Sequence, residues 1–189
     1  LMDYEKVTFW DKICEVFDWA EKNVTSTMFS CWAAHAALYH HYGLNRHLRD
    51  NKLAGVFQHS PVDPKEQLTR GFEEFFNVPH SRYGYIEKSD YLSVPELKII
   101  AESPQAGVYV VASKNKQQVY LTGHPEYDAT TLDEEFHRDI NVDQQAAKPE
   151  NYYINDDTSK VPHSSWRSHG SLLFTNWLNY YVYQITPYK

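Results

Sequence analysis

The stretch "TSTMFSCWAAHAALYHHYGL", residues 25–44, constrains the chain more than any other. Thr25, Ser26, Thr27, Met28 and Phe29 make a largely β-branched and apolar run, which predicts a short buried strand. From Trp32 to Tyr42 the residues are mostly good helix formers, and Gly43 supplies a stop. Cys31 stands at the joint. A thiol there faces the unpaired N–H groups and the positive dipole end of the helix, both of which favour a thiolate. Cys31 is therefore a candidate nucleophile. The competing reading is a small buried residue under a strand–helix turn, and the local sequence does not separate the two.

Composition limits the partners. A chain of 189 residues is long enough for one domain with a real core. Its formal charge of −7 argues against nucleic acid, whose phosphates need a basic footprint. No apolar run approaches the length that spans a bilayer, and the start "LMDYEKVTFW" lacks the charged and apolar regions of a signal peptide, so no membrane partner is expected. Two cysteines make a poor disulfide framework, so the expected compartment is the reducing cytoplasm. The 15 Tyr, 9 Phe and 5 Trp predict a well-filled interior. The chain begins with Leu1, not Met, which reads as a fragment of something longer.

Helical spacing of Phe9, Trp10, Ile13, Val16, Phe17 and Ala20 predicts an amphipathic helix over 8–22, with Cys14 packing beside its apolar face. Residues 45–82 read as irregular, broken by Pro61, Pro64, Pro79 and Gly71. "LKIIAE" (97–102), "GVYVVAS" (107–113) and "KQQVYLTG" (116–123) read as strands, the last two joined by a hairpin turn at "KNK". A helix is expected from Thr130 or Thr131, with Asp133 and Glu134 in its first turn and a stripe of Leu132, Phe136 and Ile140. Residues 141–169 read as loop and 171–184 as a closing helix. Helices interleaved with buried strands define an α/β layered fold.

A nucleophile needs a base. The histidines of "HAALYHHYGLNRH" have no carboxylate placed to complete a zinc site, so no metal is expected there. His41 and Tyr42, near the helix C-terminus, read as dipole-favoured or solvated. His124, in "YLTGHPEYD", directly follows an apolar strand, where open α/β sheets place reactive groups. Pro125 biases it toward an extended backbone. Glu126, two residues on, can fix the imidazole tautomer and leave the other ring nitrogen to take a thiol proton. Cys31, His124 and Glu126 then form nucleophile, base and orienter. The alternative is a turn with a solvated Glu and a half-buried His.

"TSTMFSCWAAHAALYHHYG", "GFEEFFNVPHSRY", "LTGHPEYDATTLDEEFHRD" and "WRSHGSLLFTNWLNYYVYQITPY" together resemble the homoserine O-acyltransferases of bacterial methionine biosynthesis, in order and from Leu1 to Lys189. The resemblance implies a single acyltransferase domain with a three-layer, flavodoxin-like, doubly wound, mostly parallel sheet and a nucleophile elbow, as in class I glutamine amidotransferases. It further implies that the N-terminal strands are missing from this chain. The implied activity is transfer of an acyl group, succinyl in preference to acetyl, from acyl-CoA to the hydroxyl of L-homoserine through a cysteine thioester. Acyl-CoA is then a co-substrate, no cofactor is needed, and a homodimer is compatible with the family.

Carried over to matching positions, the resemblance makes Cys31 the thioester nucleophile, His124 the proton acceptor and Glu126 its orienter, with the Trp32 backbone N–H an oxyanion donor. The substrate contacts fall on Lys52, Ser81 and Arg138, with Arg82 a second candidate for an anionic group. Each also has a plain alternative: a solvated lysine, turn chemistry at Ser81, and an exposed helix pair between Arg138 and Glu134. His35 departs from the family's "CWxxQAA" pattern and either packs or perturbs the thiol. The position associated with succinyl or acetyl choice falls just ahead of Leu1. Two alternatives stay open, a glutamine amidotransferase-like hydrolase and an inactive acyltransferase fragment. Against the first, Trp32 follows Cys31 where such elbows carry Gly, and no glutamine-binding motif is present.

Overall fold

The computed structural model describes residues 3–187; Leu1, Met2, Tyr188 and Lys189 lie outside the described residues. Strands β1 (Thr27–Ser30), β2 (His47–Pro61), β3 (Phe76–Tyr85), β4 (Leu97–Ser103), β5 (Gly107–Ser113) and β6 (Gln118–Leu121) form one sheet in the order β1-β6-β5-β4-β2-β3. Helices α1 (Trp10–Asn23), α2 (Trp32–Tyr42), α3 (Lys88–Leu92), α4 (Thr131–Val142) and α5 (Arg167–Trp177) accompany it, and α5 runs into a π-helical turn, Leu178–Tyr183.

β5 explains the layering. Its residues from Val108 to Ser113 are all buried, because both faces of the strand are covered. On one side Val108 and Val111 pack with Phe17 of α1 and Ala34 and Leu38 of α2. On the other, Tyr109, Val110 and Ala112 pack with Leu173 of α5 and Tyr181. Burying each such Val or Leu contributes roughly 1.5–3 kcal/mol. The three layers expected from the sequence are present.

The sheet is mixed, not mostly parallel as expected. Of the strand pairs among the described residues only β1 and β6 run in parallel, from Thr27↔Gln118 to Ser30↔Leu121. The β2–β3, β2–β4, β4–β5 and β5–β6 pairings are antiparallel. The connections 104–106 and 114–117 are too short for a parallel crossover, so β4, β5 and β6 must meander.

The region 45–82 also departs from expectation. It holds two strands, β2 and β3, paired from Leu53↔Arg82 to His59↔Phe76, and only 62–75 between them is irregular as expected. The prolines that read as breakers occupy permissive positions. Pro61 ends β2, Pro64 lies in the connecting loop, and Pro79 sits on the edge strand opposite Val56. The Val56 N–H donates instead to the Glu150 carbonyl at 2.8 Å. Gly55, at φ 146°, makes that approach feasible, since a Cβ there would collide with the Glu150 backbone.

Helix α1 follows its pattern with one correction. Phe17 and Ala20 are buried and Trp10 and Ile13 pack on the core, but Phe9 and Val16 are more than half exposed. Seven residues apart, those two lie on the rim of the apolar face, where a helix leaves the surface it covers. Gly43 adopts φ 69° and caps α2 as its position predicts, with its N–H on the Tyr39 carbonyl at 2.8 Å. The closing helix starts earlier than expected, at Arg167, and Gly170 lets it approach the Pro125 backbone closely.

Candidate active site

Topology brings the candidate nucleophile and base together. The N–H of Cys31 completes the parallel ladder by donating to the Leu121 carbonyl at 2.7 Å, and Trp32 already opens α2. Between these demands Cys31 takes φ 49°, ψ −111°, a conformation that costs a non-glycine residue about 1–3 kcal/mol. His124 lies just past the end of β6. Neighbouring parallel strands end on the same side, so residues just beyond Ser30 and Leu121 meet there.

The His124 loop is pinned from several directions. The His124 N–H donates to the Pro79 carbonyl at 2.8 Å, and the Trp166 indole N–H donates to the Tyr127 carbonyl at 2.9 Å. The imidazole stacks on the Tyr127 ring, with centroids 4.1 Å apart. Its Nδ1 is 2.7 Å from Glu126 Oε1, which leaves Nε2 to serve Cys31, whose sulfur is near enough to influence the ring. Burial disfavours the imidazolium, yet contacts to the Cys31 sulfur and the Glu126 carboxylate outweigh it and raise His124 to about 9. At neutral pH this ring holds its proton. Trp32, as the first residue of α2, has an N–H with no intrahelical acceptor, and it lines the Cys31 pocket.

The expected substrate contacts assemble on β2, β3 and α4. Register places Ala54 opposite Ser81, and Lys52 and Ser81 converge on the same oxygen, Glu135 Oε2. Lys52 is largely buried, with Nζ 2.6 Å from Asp139 Oδ2 and 3.6 Å from Glu135 Oε2, so it is no ordinary solvated lysine. Ser81 sits inside β3, not in a turn, and donates to Glu135 Oε2; the Tyr127 hydroxyl donates to Glu135 Oε1 at 2.6 Å. Arg138 does not pair with Glu134, whose carboxylate takes the Thr130 hydroxyl. It donates instead to Asp139 Oδ1 from Nε and Nη2, at 3.1 and 2.9 Å, and stays two-thirds exposed. Burial opposes the charged form of Asp139, but Lys52 and Arg138 hold its carboxyl below the usual range.

These residues line a cleft of about 570 Å³. A smaller pocket of about 200 Å³ contains Cys31 and Trp32, and Lys52, Ser81 and Tyr83 belong to both. The cleft thus opens beside the sulfur. Glu135, Asp139 and Tyr127 were missed in the sequence, although Glu135, Arg138 and Asp139 in "EFHRD" have the i, i+3, i+4 spacing of one helix face. Arg82 is buried away from the cleft, donating to the Gly84 and Ala106 carbonyls at 2.6 Å each. His35 is buried in the wall of the Cys31 pocket, and burial, then Arg82 and Arg46, depress it to about 3, so it is neutral. No cluster of three His, Cys, Asp or Glu side chains suited to a metal occurs among the described residues, and no described helix is long and apolar enough to cross a membrane.

The fold and elbow define a class. A glutamine amidotransferase from Thermotoga maritima matches with a TM-score of 0.65 at 13% identity, covering 95% of this chain and 73% of that one. One from Methylobacillus flagellatus matches with a TM-score of 0.64 at 9% identity and the same coverage. This is the glutamine amidotransferase-like α/β fold. Within it the chain belongs to the homoserine O-succinyltransferase family, whose model matches residues 1–188. A homoserine O-succinyltransferase of Alteromonas mediterranea is 54% identical over 188 residues, covering 100% of this chain and 60% of the relative. A homoserine O-acetyltransferase of Bacteroides fragilis is 49% identical, covering 100% of this chain and 62% of the relative. The chain therefore spans about 60% of the length of the relatives it matches.

Proposed function

We propose that this chain carries the acyl-transfer site of a homoserine O-acyltransferase. The observation that supports it is the meeting of Cys31, His124 and Glu126 at the ends of two adjacent parallel strands, beside a cleft with charges of both signs. The Cys31 thiolate attacks the acyl-CoA thioester carbonyl, and the Trp32 N–H donates to the oxyanion. Collapse expels the coenzyme A sulfur, which takes the proton held on His124. His124, now neutral, removes the homoserine hydroxyl proton as that oxygen attacks the acyl-cysteine. The cysteine sulfur leaves as thiolate, and the imidazolium is restored.

Homoserine is a zwitterion, which suits the cleft. Arg138 and Lys52 offer its carboxylate two cations, and Glu135 and Asp139 offer its ammonium two anions. The acyl group is taken as succinyl, in line with relatives of that name at 54% and 55% identity; acetyl is the alternative, from relatives of that name at 49%. The same reading places the protein in methionine biosynthesis in the cytoplasm, with acyl-CoA as co-substrate and no cofactor.

The test is mass spectrometry after the whole protein meets succinyl-CoA without homoserine. One acyl mass is expected on the peptide carrying Cys31. Acylation of Cys14 with Cys31 unmodified overturns the assignment.

A further inference from the structure

Behind the Cys31 pocket, across a wall formed by His35 and Arg82, lies a second chamber of about 360 Å³. Arg49 of β2, Arg82 of β3 and Tyr91 of α3 line it together with His35. Three buried polar atoms here have no hydrogen-bond partner: His35 Nε2, Arg49 Nε and the Tyr91 hydroxyl. His35 and Tyr91 are only 3% and 2% exposed. Buried polar groups are rarely left so, and three such atoms around one pocket mark it as a place where a polar ligand could be held.

Charge says what kind of occupant. Arg82 is 5% exposed and has no carboxylate partner among the described residues; its donors go to two backbone carbonyls and to His80. Burial first, then the charge of Arg49, lower Arg82 to about 10. Two guanidinium groups thus share a chamber whose one lining carboxylate, Glu87, is exposed. Lys88, also lining it, is already engaged with Glu102 at 2.8 Å. Water can satisfy an orphaned donor but brings no charge to offset a buried cation.

Arg82 is also held rigidly from behind. His59 Nδ1 donates to the Phe57 carbonyl at 2.8 Å, so its Nε2 accepts from His80 Nε2, 3.1 Å away. His80 Nδ1 is then the acceptor for Arg82 Nε at 3.3 Å. This buried relay fixes the guanidinium before any ligand arrives, which cuts the ordering cost of binding.

We propose that the chamber binds a small oxyanion, a carboxylate or phosphate group, gripped by Arg49 and Arg82 with the Tyr91 hydroxyl completing its hydrogen bonds. Arginine donates and never accepts, and a fork of N–H groups matches either anion. The proposal stands independently of the acyl-transfer reading, because its readout is binding alone.

The test is calorimetric titration of the folded protein with inorganic phosphate and, separately, with acetate, at fixed ionic strength in chloride. Saturable one-site binding of at least one of them is expected. Arg49→Gln should weaken it about ten-fold or more, and Tyr91→Phe by roughly three- to ten-fold. Arg49 is only half buried, so its variant should fold; Tyr91→Phe removes one oxygen and provides the second check. Repeating the titration with acyl-CoA present separates two sources of the anion. Displacement marks an anionic end of the acyl donor, and simultaneous binding marks a free anion. No saturable heat with either probe, or affinities unchanged in both variants, overturns the proposal.

Discussion

The two halves of the proposed active site are built by different means. Cys31 and His124 are placed by backbone: each follows the end of a strand, and the strands are the parallel neighbours β1 and β6. Lys52, Ser81, Glu135, Arg138 and Asp139 are placed by one another, through hydrogen bonds and ion pairs linking β2, β3 and α4. The first half needs sub-ångström alignment of reacting atoms, which a sheet supplies and flexible side chains do not. The second must exchange its internal pairs for a ligand's charges, which a network of side chains permits.

The contrast predicts where damage is severe and where it is graded. The largest effect is expected at the base: His124→Ala should lower kcat about 10²- to 10⁴-fold. Glu126→Ala should lower it less, because a misaligned imidazole remains. Steady-state kinetics on the whole enzyme checks both, and a kinetically silent Glu126→Ala would break the triad assignment.

Next comes the network. Arg138→Ala should reduce kcat/KM for homoserine roughly ten- to a hundred-fold, the loss of a charge-assisted contact, while acyl-enzyme forms at its normal rate. Arg138→Lys should recover part of the loss, since an ammonium does not reproduce two coplanar donors. Single-turnover measurement of the two half-reactions decides it. Slowed acylation would mean that Arg138 serves the first half of the site too.

A separate effect concerns stability. His124 has its pKa raised in the folded state to about 9, so its contribution is complete below about 6.5 and is lost as pH rises through about 9. Relative to His124→Gln, the wild type should lose up to about 3 kcal/mol between pH 6 and pH 9.5. Urea unfolding at the two pH values measures this, and a constant difference would refute it. The smallest effect is at Cys14, partly exposed on α1, where burial and then Asp18 and Asp11 raise the thiol pKa. Cys14→Ser should leave kcat within a factor of about two.

The same contrast governs what the sequence discloses. Cys31 shows itself because a β-branched run meets a helix there, and His124 because Pro125 and Glu126 follow it; these signals are local. The β2–β3 hairpin is hidden, since Pro61, Pro64 and Pro79 read as breakers until Pro79 is seen on an edge strand. Lys52, Ser81 and Arg138 come from family resemblance, and what surrounds them does not. Tyr127 and Ser81 both reach Glu135, although 46 residues separate them in the chain (127 − 81), and no window of sequence contains such a meeting. The antiparallel run of β4, β5 and β6 is legible in its short connections, whereas the flavodoxin-like resemblance points to parallel strands.

Cys31 has a consequence for how such a chain evolves. Its φ of 49° with ψ −111° lies where glycine is at ease and cysteine is not. A population selected only for resistance to unfolding should therefore drift toward Cys31→Gly, gaining up to about 1–3 kcal/mol while losing its sulfur. Persistence of cysteine at this site in a lineage is then a record of selection for chemistry, written against the grain of stability. A display library sorted first for folding and then for acylation should show the two pressures separately, with glycine enriched in the first round and purged in the second.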